Sequence, residues 1–289
     1  MTNSPRIKAR QAAAALALTV GVLAVQAAQA APVQIEELTW TELQARITAG
    51  STTVLLPIGG TEQNGPHMAL GKHNARVRVL AERIAEKLGN AVVAPVLAYV
   101  PEGAIEPATQ HMRWPGTISI PDAAFEATLE GAARSLHKHG LCQVVLLGDH
   151  GGYRSSLERV AAKLNRLWAA SGCRVHALPE YYRAASFDYA QALKAQGYSG
   201  AEIGSHAGLA DTALTLATAP ALVRSDALAR KRGDGHDNDG VVGDPRRATA
   251  ELGRPGAEHI VDAAVVAIRL AVGNTVAKTV LKAAPKTTP

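Results

Sequence analysis

Short apolar, β-branched runs alternate along the chain with longer stretches whose apolar residues recur every three or four positions. Residues 53–58, 91–96, 142–147 and 173–178 read as strands, and 75–88, 122–139 and 155–170 read as helices. The strands are apolar almost throughout rather than alternating, which is the pattern of a sheet buried on both faces. A mostly parallel sheet covered on each side by helices is therefore predicted. Asp122, just after Pro121, stands where an N-cap is expected, and Gly140 ends the same helix behind His137, Lys138 and His139. A final helix is expected from Pro255 to about Val272, and residues 275–289, rich in Lys, Thr and Pro, read as a flexible tail. Neither a repeat nor a clean linker interrupts residues 31–274, so one domain is expected there.

Residues 1–30 stand apart. They carry Arg6, Lys8 and Arg10, then an apolar run from Ala12 to Val25, then Ala28-Gln29-Ala30 before Ala31. That is the layout of a secretory signal peptide, and the run is shorter than the roughly 18–20 residues of a spanning helix. A soluble protein of the periplasm or the exterior, with no membrane anchor after cleavage, is the expectation. The leader also changes the charge. The whole chain has 30 basic and 25 acidic residues, a formal +5, but residues 31–289 hold 27 against 25. A nearly neutral chain without blocks of like charge has no electrostatic footprint for nucleic acid. Only 4% of residues are Phe, Trp or Tyr, too few for a platform on which single strands stack.

Cys142 and Cys173 each begin an expected strand, so a disulfide is open to them in an oxidising compartment; two buried thiols are the other reading. Three polar clusters fall at strand ends or in loops, where α/β proteins place their chemistry. The first runs from Gly59 through Glu62, Asn64 and His67 to His73, the second is Gly148-Asp149-His150-Gly151-Gly152, and the third spans residues 204–212 with His206 and Asp211. Carboxylates and imidazoles of this kind bind zinc or manganese, and an ion held with an open position acidifies a water for attack at neutral pH. Residues 234–240 resemble a calcium loop, but Gly235 and Arg246 occupy the positions that need acids, so a solvated acidic loop is expected.

The order of these segments resembles the creatininase family. PIGGTEQNGPHMALGKHN is similar to its Pro-x-Gly-x-x-Glu-x-His-Gly-x-His run, LGDHGGYRSS to its Asn-Gly-His-Gly-Gly-Asn loop, and HAGLADTALTL to its His-Ala-Gly-Glu-x-Glu-Thr-Ser segment. WPGTISIP and GVVGDPRRATAELG resemble two further family stretches, and together the matches cover most of residues 50–270. The resemblance implies a layered α/β/α fold, homo-oligomers, and metal-dependent hydrolysis of carbon–nitrogen bonds in cyclic amides, formamides or short peptides. It implies Glu62 and His150 as metal ligands, Asp211 as the acid before the Thr-Ser position, and His206 as the catalytic histidine that moves a proton to the leaving nitrogen.

The sequence departs from that pattern where it matters most. Asn64 stands at a ligand histidine's place, and His73 at that of an aspartate able to bridge two metals; a neutral imidazole cannot bridge two cations. The expectation is one divalent ion, zinc or manganese, rather than two, held by Glu62, His73 and His150 with Asp211 as fourth ligand or supporting partner. Asn64 and His67 are secondary candidates, His67 as a replacement for Asn64. Gly152 stands where some members have another acid. His111, Trp114, Tyr153 and Tyr181 are candidates for the substrate pocket, with Glu180 and Tyr182 beside them. A small-molecule amide is the expected substrate. The alternative reading is a catalytically inactive periplasmic protein that binds a small molecule or a metal on the same fold.

Overall fold

The computed structural model describes residues 32–229 and 239–283. The expected leader, most of the acidic loop at 234–240 and the last six residues lie outside this range. From Val33 onward the chain forms one compact unit. In chain order its elements are α1 (Trp40–Thr48), β1 (Thr53–Ile58), α2 (Lys72–Leu88), β2 (Ala91–Val93), α3 (Asp122–Lys138), β3 (Gln143–Gly148) and α4 (Arg154–Leu167). There follow β4 (Arg174–Ala177), α5 (Pro179–Arg183), α6 (Tyr189–Ala195), α7 (Gly200–Ile203), α8 (Leu209–Thr218), α9 (Ser225–Leu228) and α10 (Ala250–Ala283). No helix among the described residues is long and apolar enough to cross a membrane.

The four strands form one parallel sheet in the order β2-β1-β3-β4. Side chains alternate between its faces with the two-residue period of a strand. Leu55, Val145 and Leu147 enter a core shared with α2, α8 and α10, while Val54, Leu56, Val144 and Leu146 enter a second core with α3 and α4. Because helices cover both faces, every residue of β1 and β3 is buried, which is why their sequences read as continuous apolar runs. Helix α2 buries Val77, Leu80, Ala81, Ile84 and Ala85, the spacing of one helical stripe.

The element boundaries differ from the sequence expectation in places that have physical causes. Strand β2 ends at Val93 rather than residue 96; Pro95 follows and has no N–H to give a ladder. Asp122 is the first residue of α3 instead of its cap. Pro121 precedes the helix and no side chain caps it, so the Asp122 charge acts on the helix dipole. The last helix starts at Ala250, five residues ahead of Pro255, where the Thr249 hydroxyl accepts from the Leu252 N–H at 3.1 Å; it also continues past Val272 to Ala283.

Cys142 and Cys173 are joined in a disulfide. Each immediately precedes a strand, and β3 and β4 pair in parallel, so their starting points are neighbours, with the two Cα atoms 4.6 Å apart. Closing a loop across a sequence separation of 31 residues restricts the unfolded chain, worth about 3–4 kcal/mol on the loop-entropy argument. Reduction, or Cys142→Ser with Cys173→Ser, is expected to lower unfolding stability by that amount in denaturant titrations; an unchanged midpoint would count against it.

Candidate metal centre

Strands β1 and β3 pair in register as far as Ile58 and Gly148, so the loops that leave them start at the same level. From β1 the chain moves to β2 on one side and then to β3 on the other, and the crevice at such a switch point is where open α/β sheets bind ligands. The loop after β1 carries Glu62, Gln63 and Asn64, and the first turns of α2 supply Lys72, His73 and Arg76. The loop after β3 gives Asp149 and His150. Glu102 and His111 come from the long connection between β2 and α3, and His206 and Asp211 from the start of α8 and the segment before it.

Glu62 is fully buried, and other charged or ionisable groups surround it. Its Oε1 accepts from His73 Nε2 at 2.9 Å, with Lys72 Nζ at 3.5 Å and His206 Nδ1 at 3.7 Å. On the other oxygen, His111 Nε2 lies at 3.2 Å and His150 Nε2 at 3.5 Å. Burial alone would raise the Glu62 pKa, but the Lys72 charge and the His73 hydrogen bond hold it well below the usual carboxylate range. Behind this shell, His73 Nδ1 meets Asp149 Oδ2 at 2.5 Å, and Arg76 bonds both Asp149 and Asp211. Tyr181 donates to Asp149 Oδ1 at 2.8 Å.

Donor atoms of Glu62, Glu102, His111 and His150 all lie within 4.8 Å of one another. Three oxygens in this group, Glu62 Oε2 and both of Glu102, are buried and accept no hydrogen bond. Orphaned carboxylate oxygens are costly to bury, and a cation among them removes the cost. Two carboxylates and neutral imidazoles are also the donor set that zinc and manganese accept, so the residues fit a divalent ion. Burial pushes His150 down to about 3, which keeps it neutral as a ligand must be. Burial, the Glu62 charge and a hydrogen bond to Glu62 push Glu102 up to about 9, so without a cation a proton held between the two carboxyls takes its place at neutral pH. Gly60, at φ +156°, leaves the space Glu102 uses: a Cβ there would lie 2.4 Å from Glu102 Oε1.

Gln63 fixes the histidines on the open side. Its Oε1 accepts from the Gly65 N–H at 2.9 Å and its Nε2 donates to the Gly240 carbonyl at 3.0 Å, which sets the amide's orientation. His206 Nε2 donates to the Gln63 carbonyl at 2.9 Å, leaving Nδ1 as the free lone pair on the Glu62 side. Burial and the nearby Lys72 lower His206 to about 4, so its ring is neutral. His111, His150 and His206 line a cavity of about 450 Å³ with Tyr182 and Ser186 on one wall and Ile203 and Leu214 on another. Ser186 belongs to a single π-helical turn, Ala184–Asp188, between α5 and α6.

Of the expected ligands, Glu62 and His150 converge, whereas His73 and Asp211 stand outside the donor cluster. Both nitrogens of His73 are engaged by carboxylates, and Asp211 is held by Lys72 and Arg76. Asn64 Nδ2 ties its own loop by donating to the Glu62 and Ala69 carbonyls, and His67 Nε2 meets the Thr212 hydroxyl at 3.0 Å. His111 and Tyr182 line the cavity as expected; Trp114, Tyr153, Glu180 and Tyr181 do not. Tyr153 is buried and donates to the carbonyls of Ile58 and Gly59, bracing the end of β1. Glu102, Lys72 and Arg76 have no place in the sequence expectation of the site, and Asp149 and Gln63 stand there only as members of the polar clusters, without a role. Lys72 and Arg76 carry the one available signal, two bases four apart at a helix start that contains no acid.

Acids and imidazoles gathered at the carboxyl end of a parallel sheet define the class, a layered α/β protein with a candidate metal centre. The chain belongs to the creatininase family, whose profile, described as creatinine amidohydrolase, matches residues 36–268. Creatinine amidohydrolase of Pseudomonas putida is 32% identical over 197 residues, which is 66% of this chain and 74% of that protein. A mycofactocin precursor peptide peptidase of Mycobacterium tuberculosis is 27% identical over 237 residues, 73% of this chain and 82% of its own. Among solved structures, a mutant creatininase aligns with a TM-score of 0.71 at 27% identity over 84% of this chain and 99% of its own. A manganese creatininase gives 0.69, and a mutant creatininase of the Zn–Zn type gives 0.66, each over the same shares of the two chains.

The Glu102 carboxyl makes a prediction about pH. Its folded value lies above the ordinary one, so the stabilisation it gives the metal-free protein is complete below pH 4.5 and is lost as the pH rises to about 9. Melting of chelator-treated protein between pH 6 and 10 is expected to show a falling Tm that Glu102→Gln flattens. Equal slopes for the two proteins would contradict the assignment.

Proposed function

We propose that this protein is a metal-dependent hydrolase of carbon–nitrogen amide bonds, exported from the cytoplasm, whose substrate is a small cyclic amide, a formamide or a short peptide. The observation that carries the reading is the set of buried Glu62 and Glu102 oxygens packed against His111 and His150, two histidines that line the cavity together with His206. The family supports the amide class, since the two relatives are named for creatinine and for a precursor peptide. Glu62, Glu102, His111 and His150 would hold the ion. When bound there, zinc or manganese supplies Lewis acidity to the amide carbonyl and lowers the pKa of a water.

The chain's own groups do the rest. The neutral Nδ1 of His206 takes a proton from the attacking water and returns it to the leaving nitrogen as the carbon–nitrogen bond breaks and the new carbon–oxygen bond forms. Gln63 holds that ring so that Nδ1 keeps its lone pair on the Glu62 side. Ile203, Ala210 and Leu214 give the cavity an apolar wall that excludes bulk water from the amide. The disulfide supports export, because such bonds persist in oxidising compartments. A homo-oligomer is part of this reading, and Val266 and Leu270, one turn apart on the exposed side of α10, would be among the apolar residues such a contact covers.

The test is an amide panel offered to protein reloaded with zinc or manganese. His206→Ala is expected to lower kcat by about 10²–10⁴-fold with metal content unchanged. Glu62→Gln and His150→Ala are expected to lose the metal itself. Absence of turnover across the panel, with a ligand that still raises the Tm, would replace the enzyme by a binding protein on the same fold.

A further inference from the structure

Lys72 opens α2 and is 1% exposed. Its Nζ lies 3.5 Å from Glu62 Oε1 and bonds Asp211 Oδ2, so one ammonium spans an acid of the donor cluster and an acid outside it. Asp211 takes Arg76 NH1 on its other oxygen at 2.7 Å. Lys72 and His73 both lie on Glu62 Oε1, which leaves Oε2 as the oxygen turned to His111 and His150.

The charges point the same way. Counting only Asp, Glu, Lys and Arg, the site has four acids, Glu62, Glu102, Asp149 and Asp211, against Lys72 and Arg76. One divalent ion brings this formal deficit of two to zero, whereas a second leaves two positive charges in excess within a buried site. Charge left uncompensated in such surroundings is strongly destabilising. A related creatininase is described as Zn–Zn; in this chain Lys72 already lies between Glu62 and Asp211.

We propose that the Lys72 ammonium is a resident cation between Glu62 and Asp211 that restricts the centre to a single divalent ion and turns Glu62 Oε2 towards it. The inference rests on the metal-dependent reading above. An ammonium is compact, with donors that rotate freely, and so serves two carboxylates from one point. It is a positioning residue, since it acts through Glu62.

Chelator-stripped protein is titrated with zinc or manganese alone, desalted and assayed for metal per chain. The wild type is expected to retain one ion. Lys72→Ala, which vacates the space between Glu62 and Asp211, is expected to retain more than one, and Lys72→Arg to stay at one. The double variant Lys72→Ala/Asp211→Asn removes the charge together with its partner and is also expected to stay at one. Two ions in the wild type, or in Lys72→Arg, would overturn the proposal and leave the metal-dependent reading standing; no ion in the wild type would overturn both. A folded Lys72→Ala that retains only one ion would overturn the proposal alone. Should that variant fail to fold, the counts for the wild type and for Lys72→Arg decide.

Discussion

A carboxylate removed from water has to be matched by a cation, a proton or a set of donors, and Glu62 places that demand at the centre of this molecule. Lys72 and His73 answer it on one oxygen. Each partner raises a demand of its own: His73 needs Asp149, Asp149 needs Arg76 and Tyr181, and Arg76 brings in Asp211, which closes the circuit at Lys72. The circuit joins the loop after β1, the first turns of α2, the loop after β3 and the start of α8. Removing one member leaves the others buried with unmatched charge, so these segments are tied electrostatically as well as by their apolar packing. The second Glu62 oxygen is exempt, and it is the one that faces Glu102, His111 and His150.

The sheet makes this arrangement geometrically available. Parallel pairing brings the ends of β1 and β3 to one level, and the reversal of strand order opens the crevice between their loops. Tyr153 reinforces the position by reaching from the loop after β3 to two carbonyls at the end of β1. Gln63 then links the floor of the site to Gly240 and sets the ring orientation of His206. At Gly240, φ is +78° and a Cβ would lie 2.0 Å from Gln63 Oε1, so that contact is open to glycine alone.

The fold was legible because its signals are local. Apolar β-branched runs marked β1, β3 and β4 to within a residue or two, and helical periodicity marked α2, α3 and α4. In the site, Glu62, His150, His206 and His111 could be found because each sits in a glycine-flanked loop or beside a recognisable motif. Glu102 could not. It is a single acid after Pro101 in a long connection, and its chemistry comes from facing Glu62 across forty residues of chain. Lys72 was hidden for a different reason: a lysine at a helix start is ordinarily solvated, and only the tertiary approach of Glu62 and Asp211 makes it internal. His73 is a different case. Its residue type suits a ligand, but two carboxylates occupy both of its nitrogens.

The disulfide lies at the starts of β3 and β4, whereas the acids and histidines follow their ends, so the six residues of β3, about 20 Å of strand, separate them. Robustness and reactivity therefore draw on different regions of the same sheet. A lineage carrying this covalent tie has a reserve of stability remote from the pocket, against which destabilising changes around Glu62 can be tolerated while a new substrate is explored. Diversification of the pocket is then limited by charge balance among its acids and bases before it is limited by whether the chain still folds.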